Sequence, residues 1–169
     1  MRNPLAVFWL ALAAAVVVLD LWTKQLAMTN LVMYQPVEVT PFLNWRLAHN
    51  PGAAFSFLAG AGGWQRWFFT ALAAVVSVFL LVWLFRTHRS DRLLPLALSL
   101  VMGGAIGNAI DRVRFGYVID FIDVHARGWH WPAFNIADSA IVCGIILLLL
   151  DAFRESLAER KAGGGKRAR

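Results

Sequence analysis

Long apolar runs separated by shorter polar segments form the dominant pattern of this chain. The four longest runs predict helices over about residues 5–26, 67–85, 93–111 and 136–153. Each run is close to the roughly 20 residues that a helix needs to cross the hydrocarbon core of a bilayer. Few charged residues interrupt the runs. The pattern therefore predicts an all-α membrane protein with four transmembrane helices.

The two longer connections, residues 27–66 and 113–134, contain segments with the period of β-strands. Apolar and polar residues alternate over residues 37–40, 42–47 and 117–125, as in strands with one buried face. Both connections lie on the same side of the membrane, because each follows an odd-numbered helix. We therefore expect a small β-rich element on that side, resting on the membrane face.

A turn and an apolar stretch follow the second predicted strand. The sequence Asn50-Pro51-Gly52 is typical of a tight turn. Residues 53–64 are apolar and rich in glycine, but they are too few to span a membrane. They predict a short interfacial helix or loop.

The first apolar run has two interpretations. With Arg2 in front of it, the run resembles a secretory signal peptide that is removed after export. However, it is longer than the apolar region of such peptides, and it carries Asp20 and Lys24 near its end. We interpret it as a retained helix of a single integral membrane domain that covers residues 1–156.

The basic residues predict the orientation of the chain, in which 59% of residues are hydrophobic and the formal net charge is +6. Basic residues concentrate on the cytoplasmic side of multi-pass proteins. Ten of the 16 Lys and Arg residues fall on one predicted side: Arg2, Arg86, Arg89, Arg92, Arg154, Arg160, Lys161, Lys166, Arg167 and Arg169. Both termini should therefore be cytoplasmic, and residues 27–66 and 113–134 extracytoplasmic. Residues 157–169 should form a disordered basic tail.

Polar residues in or beside the membrane helices carry the functional information, because a central charged group costs about 2.5–3.5 kcal/mol on insertion scales. Those of this chain share the extracytoplasmic end of the predicted helices: Asp20, Lys24, Asn108, Asp111, Arg112, Asp120, Asp123 and Asp138. The small residues Gly103, Gly104 and Gly107 would let another helix or a substrate backbone approach closely. The pattern indicates a polar site at one membrane face.

Two acids that meet at this face would allow catalysis with a shared proton. When two carboxyl groups approach closely, one stays ionised and can activate water. The other holds a proton that it can give to a carbonyl or to a leaving amine. Asp120 and Asp123 are three residues apart in a predicted strand, so only one of them can readily face the site.

Several of the candidate residues also have purely structural interpretations. The i, i+4 spacing of Asp20 and Lys24 is that of an ion pair at a helix end. Asp138 could be an ordinary acid in the first turn of a helix that Asn135 caps. Cys143 lies in an apolar run, and we expect a buried, unreactive packing residue there.

Sequence signatures of other hydrolases are missing from the chain. It has neither the His-Glu-x-x-His motif of zinc peptidases nor a Gly-x-Ser-x-Gly nucleophile motif. Its four histidines, His49, His88, His125 and His130, lack the spacing of metal ligands. We expect no metal, no cofactor and no nucleic-acid partner.

Five sequence blocks between Asp20 and Ser139 carry a resemblance to a known family. They are Asp20-x-x-x-Lys24, Asn50-Pro51-Gly52-Ala53-Ala54-Phe55, Gly103-Gly104-Ala105-Ile106-Gly107-Asn108-Ala109-Ile110-Asp111-Arg112, Val118-Ile119-Asp120-Phe121-Ile122-Asp123 and Phe134-Asn135-Ile136-Ala137-Asp138-Ser139. The chain thereby resembles bacterial lipoprotein signal peptidase, also called signal peptidase II. The last three blocks together are the most specific.

The resemblance implies an aspartyl endopeptidase of the bacterial cytoplasmic (inner) membrane, with its active site at the outer leaflet boundary. Such enzymes remove the signal peptide from diacylglyceryl-modified prolipoproteins by cleaving just before the lipidated cysteine. The implied catalytic pair is Asp120 and Asp138. The resemblance further implies substrate-binding or supporting roles for Asn50, Gly52, Asn108, Arg112, Asn135, Asp20 and Lys24. We expect a monomer that contacts its substrate and membrane lipids.

Two expectations concern how such an enzyme would hold its substrate. Residues 53–63 would flank the substrate as a lid or clamp. Asn108 and Arg112 would bind the substrate backbone or stabilise the developing oxyanion.

Two other functions are consistent with the residues alone. A small transporter would also contain membrane Asp and Arg residues, but they would be distributed through the depth of the bilayer. The second predicted helix offers only Thr70 and Ser77 for such a path. A non-catalytic assembly factor with a lipid-binding groove would tolerate replacement of its aspartates by asparagine.

Overall fold

The computed structural model describes residues 5–52, 62–88 and 90–164 of the chain. Within these ranges four helices form: α1 (Ala6–Asn30), α2 (Trp64–Arg86), α3 (Leu93–Phe115) and α4 (Ile136–Gly164). Four strands accompany them: β1 (Val37–Thr40), β2 (Leu43–Asn50), β3 (Val118–Ala126) and β4 (Trp129–His130). All four helices are long and apolar enough to cross a membrane. The predicted fold class, four membrane helices with a small β-rich element, is confirmed.

α1 and α3 continue beyond the apolar runs that predicted them, toward the sheet. α1 extends to Asn30, after which Leu31 turns to an extended conformation. α3 extends to Phe115 and ends at Gly116, whose φ of 87° is the left-handed conformation typical of a helix C-cap. The N–H of Gly116 donates to the carbonyl of Arg112 at 3.0 Å. Polar residues at a membrane interface can therefore prolong a helix that hydropathy alone would end.

The C-terminal segment differs from the prediction. The disordered tail was expected from residue 157, whereas α4 continues as a helix to Gly164. Residues 157–162 are Leu, Ala, Glu, Arg, Lys and Ala, all of which are strong helix formers. A high charge density therefore does not break the helix here. The predicted interfacial helix or loop over residues 53–64 falls mostly on residues 53–61, which lie outside the described ranges.

α3 lies at the centre of the helical bundle. In the most apolar 18-residue stretch of α3, 50% of the residues are buried. The corresponding shares for α1, α2 and α4 are 22%, 11% and 17%. Glycine permits the close approach that this requires: a Cβ atom on Gly103 would lie 2.7 Å from the carbonyl oxygen of Ala13 on α1. On Gly107 it would lie 2.7 Å from Oδ2 of Asp20. The glycines of α3 thus bring the polar residues of neighbouring helices together.

The four strands form an antiparallel sheet in the order β1-β2-β3-β4. The sheet lies at the end of the bundle where α1 and α3 end and α2 and α4 begin. β2 runs beside β3 from Leu43, opposite Val124, to Asn50, opposite Val118. The register shifts between Trp45 and Ala48, which marks a β-bulge in β2.

One face of the sheet packs against α1. Leu47, Ile119 and Phe121 form an apolar cluster with Ala27 of α1. Because side chains alternate along β3, Asp120 projects from the opposite face. This alternation directs the carboxyl group of Asp120 toward the ends of α3 and α4.

Candidate active site

A cavity of about 750 Å³ lies where the sheet meets α3 and the beginning of α4. Polar side chains from four different elements line one end of it: Asn50, Asn108, Arg112, Asp120 and Asp138. Residues that are far apart in the sequence, and that the sequence blocks had singled out, are therefore brought together in one place.

Asp120 is almost entirely enclosed, with 2% of its surface exposed. Its Oδ2 accepts a hydrogen bond from Nδ2 of Asn50 at 3.1 Å. Its Oδ1 accepts one from Nδ2 of Asn135 at 2.7 Å. Two neutral amides therefore orient this carboxyl group without neutralising it.

Asp138 occupies the first turn of α4, where it forms a reciprocal cap with Asn135. The N–H of Asp138 donates to Oδ1 of Asn135 at 2.8 Å, and the N–H of Asn135 donates to Oδ2 of Asp138 at 3.2 Å. This is the arrangement of a capping box, which satisfies two helix N-terminal donors at once. The remaining oxygen, Oδ1, accepts a hydrogen bond from Nδ2 of Asn108 at 2.7 Å.

Asn135 connects the two acids. Its side chain is fully buried and makes one contact to Asp120 through Nδ2 and one to Asp138 through Oδ1. The same Nδ2 lies 3.2 Å from both Oδ1 of Asn108 and the carbonyl oxygen of Ile119. Asn135 therefore fixes the two carboxyl groups relative to each other, which a helix cap alone would not require.

Burial raises the pKa of Asp120 from its usual 3.8 to about 7, and the charge of Asp138 adds to this effect. The hydrogen bonds from Asn50 and Asn135 and the charge of Lys24 act in the opposite direction but do not offset it. Near neutral pH, Asp120 can thus hold or release a proton beside a second acid. This is the property that acid–base catalysis needs.

A cluster of buried charges lies behind the cavity; we call it the Lys24 cluster. Nζ of Lys24 lies 2.7 Å from Oδ2 of Asp20 and 2.9 Å from Oδ2 of Asp111. It also donates a hydrogen bond to Oδ1 of Asn108 at 3.0 Å. All three charged side chains are at most 1% exposed, so each depends on the others for compensation.

The Lys24 cluster ties the elements that carry Asp120 and Asp138 to the bundle. Oδ1 of Asp20 accepts a hydrogen bond from the N–H of Ala137 at 2.9 Å, next to Asp138. Oδ2 of Asp111 accepts one from the N–H of Ile119 at 3.1 Å, next to Asp120. Each acid of the cluster thus holds the backbone beside one of the two cavity acids. The ion pair predicted for Asp20 and Lys24 is present, and it anchors more than a helix end.

Arg112 reaches across the cavity to the turn after β2. One terminal nitrogen donates to the carbonyl of Gly52 at 2.9 Å and the other to that of Asn108 at 3.3 Å. Gly52 is in turn fixed, because its N–H donates to Oδ1 of Asn50 at 3.1 Å. The guanidinium carbon lies 5.1 Å from the ring centre of Phe69, and the buried Nε has no partner among the residues described.

Asp123 takes a different position from Asp120. It does not line the cavity but accepts hydrogen bonds from Nδ1 of His130 at 2.8 Å and from Nδ2 of Asn44 at 3.2 Å. Burial alone would raise the pKa of Asp123, but these hydrogen bonds outweigh it and the pKa lies below its usual value. Asp123 therefore acts as a structural anion of the sheet.

The prediction that Cys143 is a buried packing residue is wrong. The side chain is exposed on α4, at the edge of the cavity. The reason is that most of the apolar surface of α4 faces outward, so apolar neighbours in sequence do not imply burial within the protein. His49, which also lines the cavity, stacks on Tyr117 with ring centres 3.8 Å apart.

Sequence reasoning did not assign a role to Asp111, although it stands in the Asn-x-x-Asp-Arg block. The sequence did contain one indication of a role. Asp111 stands four residues after Gly107, so both lie on the same face of α3, which Asp20 of α1 approaches. Sequence reasoning also did not identify Tyr34 and Arg46, which line the other end of the cavity. No local motif marks these two residues; only the tertiary fold brings them to the site.

Within the described ranges, the buried charged groups lie at the end of the helical bundle where the sheet packs. They are Asp20, Lys24, Asp111, Asp120 and Asp123. This distribution does not form the path through the membrane that a transporter would need. No group of three His, Cys, Asp or Glu side chains with metal-binding geometry occurs among residues 5–52, 62–88 and 90–164.

Comparison with known proteins gives a consistent result. The sequence model of a family described as "Signal peptidase (SPase) II" matches residues 12–154. The lipoprotein signal peptidase of Acinetobacter baumannii is 56% identical over 150 residues, which cover 89% of this chain and 85% of that protein. The lipoprotein signal peptidase of Alteromonas mediterranea is 51% identical over 162 residues, covering 92% and 89%.

Two solved structures, both described as bacterial membrane enzymes studied by the in meso method, share the fold. The first superposes with a TM-score of 0.79 at 33% identity, covering 92% of this chain and 93% of the other. The second gives a TM-score of 0.73 at 34% identity, with coverage of 89% and 96%. The helices and the sheet therefore form a known arrangement.

Proposed function

The chain belongs to the signal peptidase II family, and from this premise we propose that Asp120 and Asp138 are its catalytic pair. The family is one of aspartic peptidases that remove signal peptides from prolipoproteins, and this chain is such an enzyme. It is a multi-pass protein of the bacterial inner membrane. The proposal concerns which residues carry out the reaction and how.

The contacts of Asn135 are the observation that carries the proposal. One buried residue holds both acids: its side chain donates to the carboxyl of Asp120 and accepts from the backbone N–H of Asp138, and both acids line the same cavity. A purely structural cap on α4 would need only the contact with Asp138. The second contact, with Asp120 at 2.7 Å, supports a pair that works together.

The pair can hold one proton near neutral pH, since the pKa of Asp120 is about 7. The ionised carboxylate takes a proton from water, whose oxygen bonds to the carbonyl carbon of the scissile peptide. The protonated carboxyl gives its proton to the carbonyl oxygen, which yields a tetrahedral diol. The C–N bond then breaks as the amine nitrogen accepts a proton from the pair and the diol loses one back to it, so the pair returns to its starting state.

Asn108 and Arg112 have different tasks in this scheme. Asn108 donates to Asp138, so it sets the position of that acid instead of binding substrate backbone. Arg112 retains a buried Nε without a partner in the described ranges and faces the cavity. It is the donor best suited to a substrate carbonyl or to the developing oxyanion.

The substrate is a prolipoprotein whose cysteine carries diacylglyceryl, and cleavage occurs just before that cysteine. The lipid keeps the scissile bond at the membrane surface, so the substrate approaches sideways from the bilayer. Both termini of the enzyme are cytoplasmic and the cavity lies at the outer leaflet boundary. The excess of basic residues at the other end of the helices supports this orientation.

We also propose that the enzyme acts as a monomer, because one chain supplies both acids and the amides that hold them. Residues 53–63 act as a lid over the substrate, which fits their location directly after the turn that Arg112 holds.

The proposal is tested with purified enzyme in lipid vesicles and a diacylglyceryl prolipoprotein. We expect a product whose N-terminus is the lipidated cysteine, as measured by mass spectrometry, and little cleavage of the unlipidated precursor. A chelator should leave the rate unchanged. Cleavage at another bond, equal cleavage of the unlipidated precursor, or strong inhibition by the chelator would contradict the proposal.

A further inference from the structure

The cavity extends beyond the two acids along β2 to a second wall that contains Tyr34 and Arg46. We propose that Arg46 determines substrate specificity by binding an acidic side chain at the second, third or fourth residue after the cleaved peptide bond. The inference rests on the proposed function of Asp120 and Asp138, since it needs the scissile bond to lie beside them.

The position of Arg46 on β2 sets its distance from the reaction. Ala48 pairs directly with Asp120, and Arg46 lies two residues further along the strand. At about 3.3 Å per residue, this is roughly 7 Å from the point where the scissile bond would lie. A substrate in extended conformation covers the same distance in about two residues. Because its side chain extends further, Arg46 can contact the side chain of the second, third or fourth residue after the cleaved bond.

The β-bulge fixes the direction of Arg46. The register shift between Trp45 and Ala48 leaves Arg46 and Leu47 outside the regular pairing. Leu47 packs into the apolar cluster on one face, whereas Arg46 lines the cavity on the other. Bulges beside active sites commonly redirect a side chain in this way.

The backbone of Tyr34 stabilises this bulge. Its N–H donates a hydrogen bond to the carbonyl of Leu47 at 2.9 Å. Tyr34 itself has a φ of 59°, which is unfavourable for a bulky residue and persists only where the surroundings enforce it. A strained residue thus anchors the strand at the position that directs Arg46 into the cavity.

The charge of Arg46 is available for a ligand. Its guanidinium makes neither a hydrogen bond nor an ion pair with any residue in the described ranges. The charge of Arg46 helps to lower the pKa of Asp123, but the carboxylate of Asp123 already accepts hydrogen bonds from His130 and Asn44. A half-buried guanidinium without a partner, facing a cavity, suits a carboxylate, because both oxygens can be bound at once.

The geometry also indicates which part of the substrate passes Arg46. Ile141 and Val142 of α4 line the cavity and continue into the membrane, where the apolar signal peptide remains. β2 leads the other way, since Asn50 lies opposite Val118 at the end of α3 and Leu43 lies further out, opposite Val124. The segment that leaves the membrane, the beginning of the mature lipoprotein, therefore follows β2 past Arg46.

The test uses diacylglyceryl prolipoproteins that differ only by Glu or Gln at the second, third or fourth mature residue. The enzyme is assayed in vesicles of zwitterionic lipid. We expect wild type to cleave the Glu substrate about fivefold more efficiently at one of these positions, mainly through a lower KM. Arg46→Gln should remove the preference, and Arg46→Glu should transfer it to a Lys substrate. Arg114→Gln, an exposed arginine outside this cavity, should keep the wild-type preference.

Three results would overturn the inference. The first is equal cleavage of Glu and Gln substrates by wild type, which needs no variant to fold. The second is an Arg46→Gln enzyme that slows all substrates by the same factor. The third is an effect of Arg46→Gln that appears only with anionic lipid and for every substrate, which would identify a phosphate headgroup as the ligand. If wild type cleaves none of the substrates, the proposed function itself fails, and this inference with it.

Discussion

Nζ of Lys24 lies 3.0 Å from Oδ1 of Asn108, and this contact sets the orientation of the amide. An ammonium group can only donate, so the amide oxygen must face Lys24 and the nitrogen must face away from it. The nitrogen then donates to Asp138 at 2.7 Å. A residue that does not line the cavity thus determines how a cavity acid is held.

Replacement of Lys24 by Met should destabilise the protein strongly. The change leaves the carboxylates of Asp20 and Asp111 buried without their cation, which costs about 3–5 kcal/mol. The measurement is the free energy of unfolding in detergent. The double variant Lys24→Met with Asp20→Asn should recover part of this loss. If the free energy of unfolding of Lys24→Met alone stays within about 1 kcal/mol of wild type, the Lys24 cluster does not have the assigned role.

Replacement of Asn135 by Ala should reduce kcat by a factor of about 100 or more, because it removes the hydrogen bond that orients the carboxyl of Asp120 and the side-chain cap that positions Asp138. It should also cost about 1 kcal/mol through the loss of the helix cap. Cleavage kinetics measure the first effect and thermal unfolding the second. Asn44→Ala is a matched control, since Asn44 is a buried residue whose side-chain amide donates to the structural Asp123. Similar losses of kcat in the two variants would contradict the bridging role of Asn135.

The raised pKa of Asp120 predicts a specific dependence of stability on pH. Between the unfolded value of 3.8 and about 7, the folded protein keeps a proton that the unfolded chain has released. The contribution of Asp120 to stability is therefore complete below pH 4 and is lost as the pH rises through 7. From pH 5 to pH 7 the loss amounts to about 2–3 kcal/mol relative to Asp120→Asn, which does not titrate. Parallel stability curves for the two proteins would refute the raised pKa.

The rate of cleavage should follow the same ionisation. Above pH 7 the pair loses its shared proton, so kcat/KM should fall by about tenfold per pH unit. Asp123→Asn should have the same profile as wild type, because Asp123 lies outside the cavity. A rate that stays constant from pH 7 to pH 9 would exclude a protonated Asp120 as the acid.

The membrane helices could be predicted from sequence because the bilayer imposes a simple rule on length and hydropathy. α2 and α3 begin within three residues of their predicted starts, at Trp64 and Leu93. β1 spans the predicted residues, Val37–Thr40, since an alternation between two prolines specifies a short strand. Local patterns were sufficient wherever one physical constraint dominated.

The remaining features depend on contacts between distant residues, which no local pattern contains. The exposure of Cys143 follows from the outward face of α4 and not from its apolar neighbours. The role of Asp111 requires Lys24 of another helix at 2.9 Å. The direction of Arg46 depends on a bulge that is visible only in the pairing of β2 with β3.

The central claim, that Asp120 and Asp138 act as one catalytic pair, is tested most directly by single-turnover cleavage of a diacylglyceryl prolipoprotein in lipid vesicles. Wild type is compared with Asp120→Asn, Asp138→Asn, their double variant and Asp123→Asn. We predict that each single change at the pair lowers the rate by about 10³-fold or more, that the double variant is no slower than either single one, and that Asp123→Asn stays within about threefold of wild type. Substantial cleavage by Asp120→Asn or Asp138→Asn, in protein shown to be folded, would contradict the account.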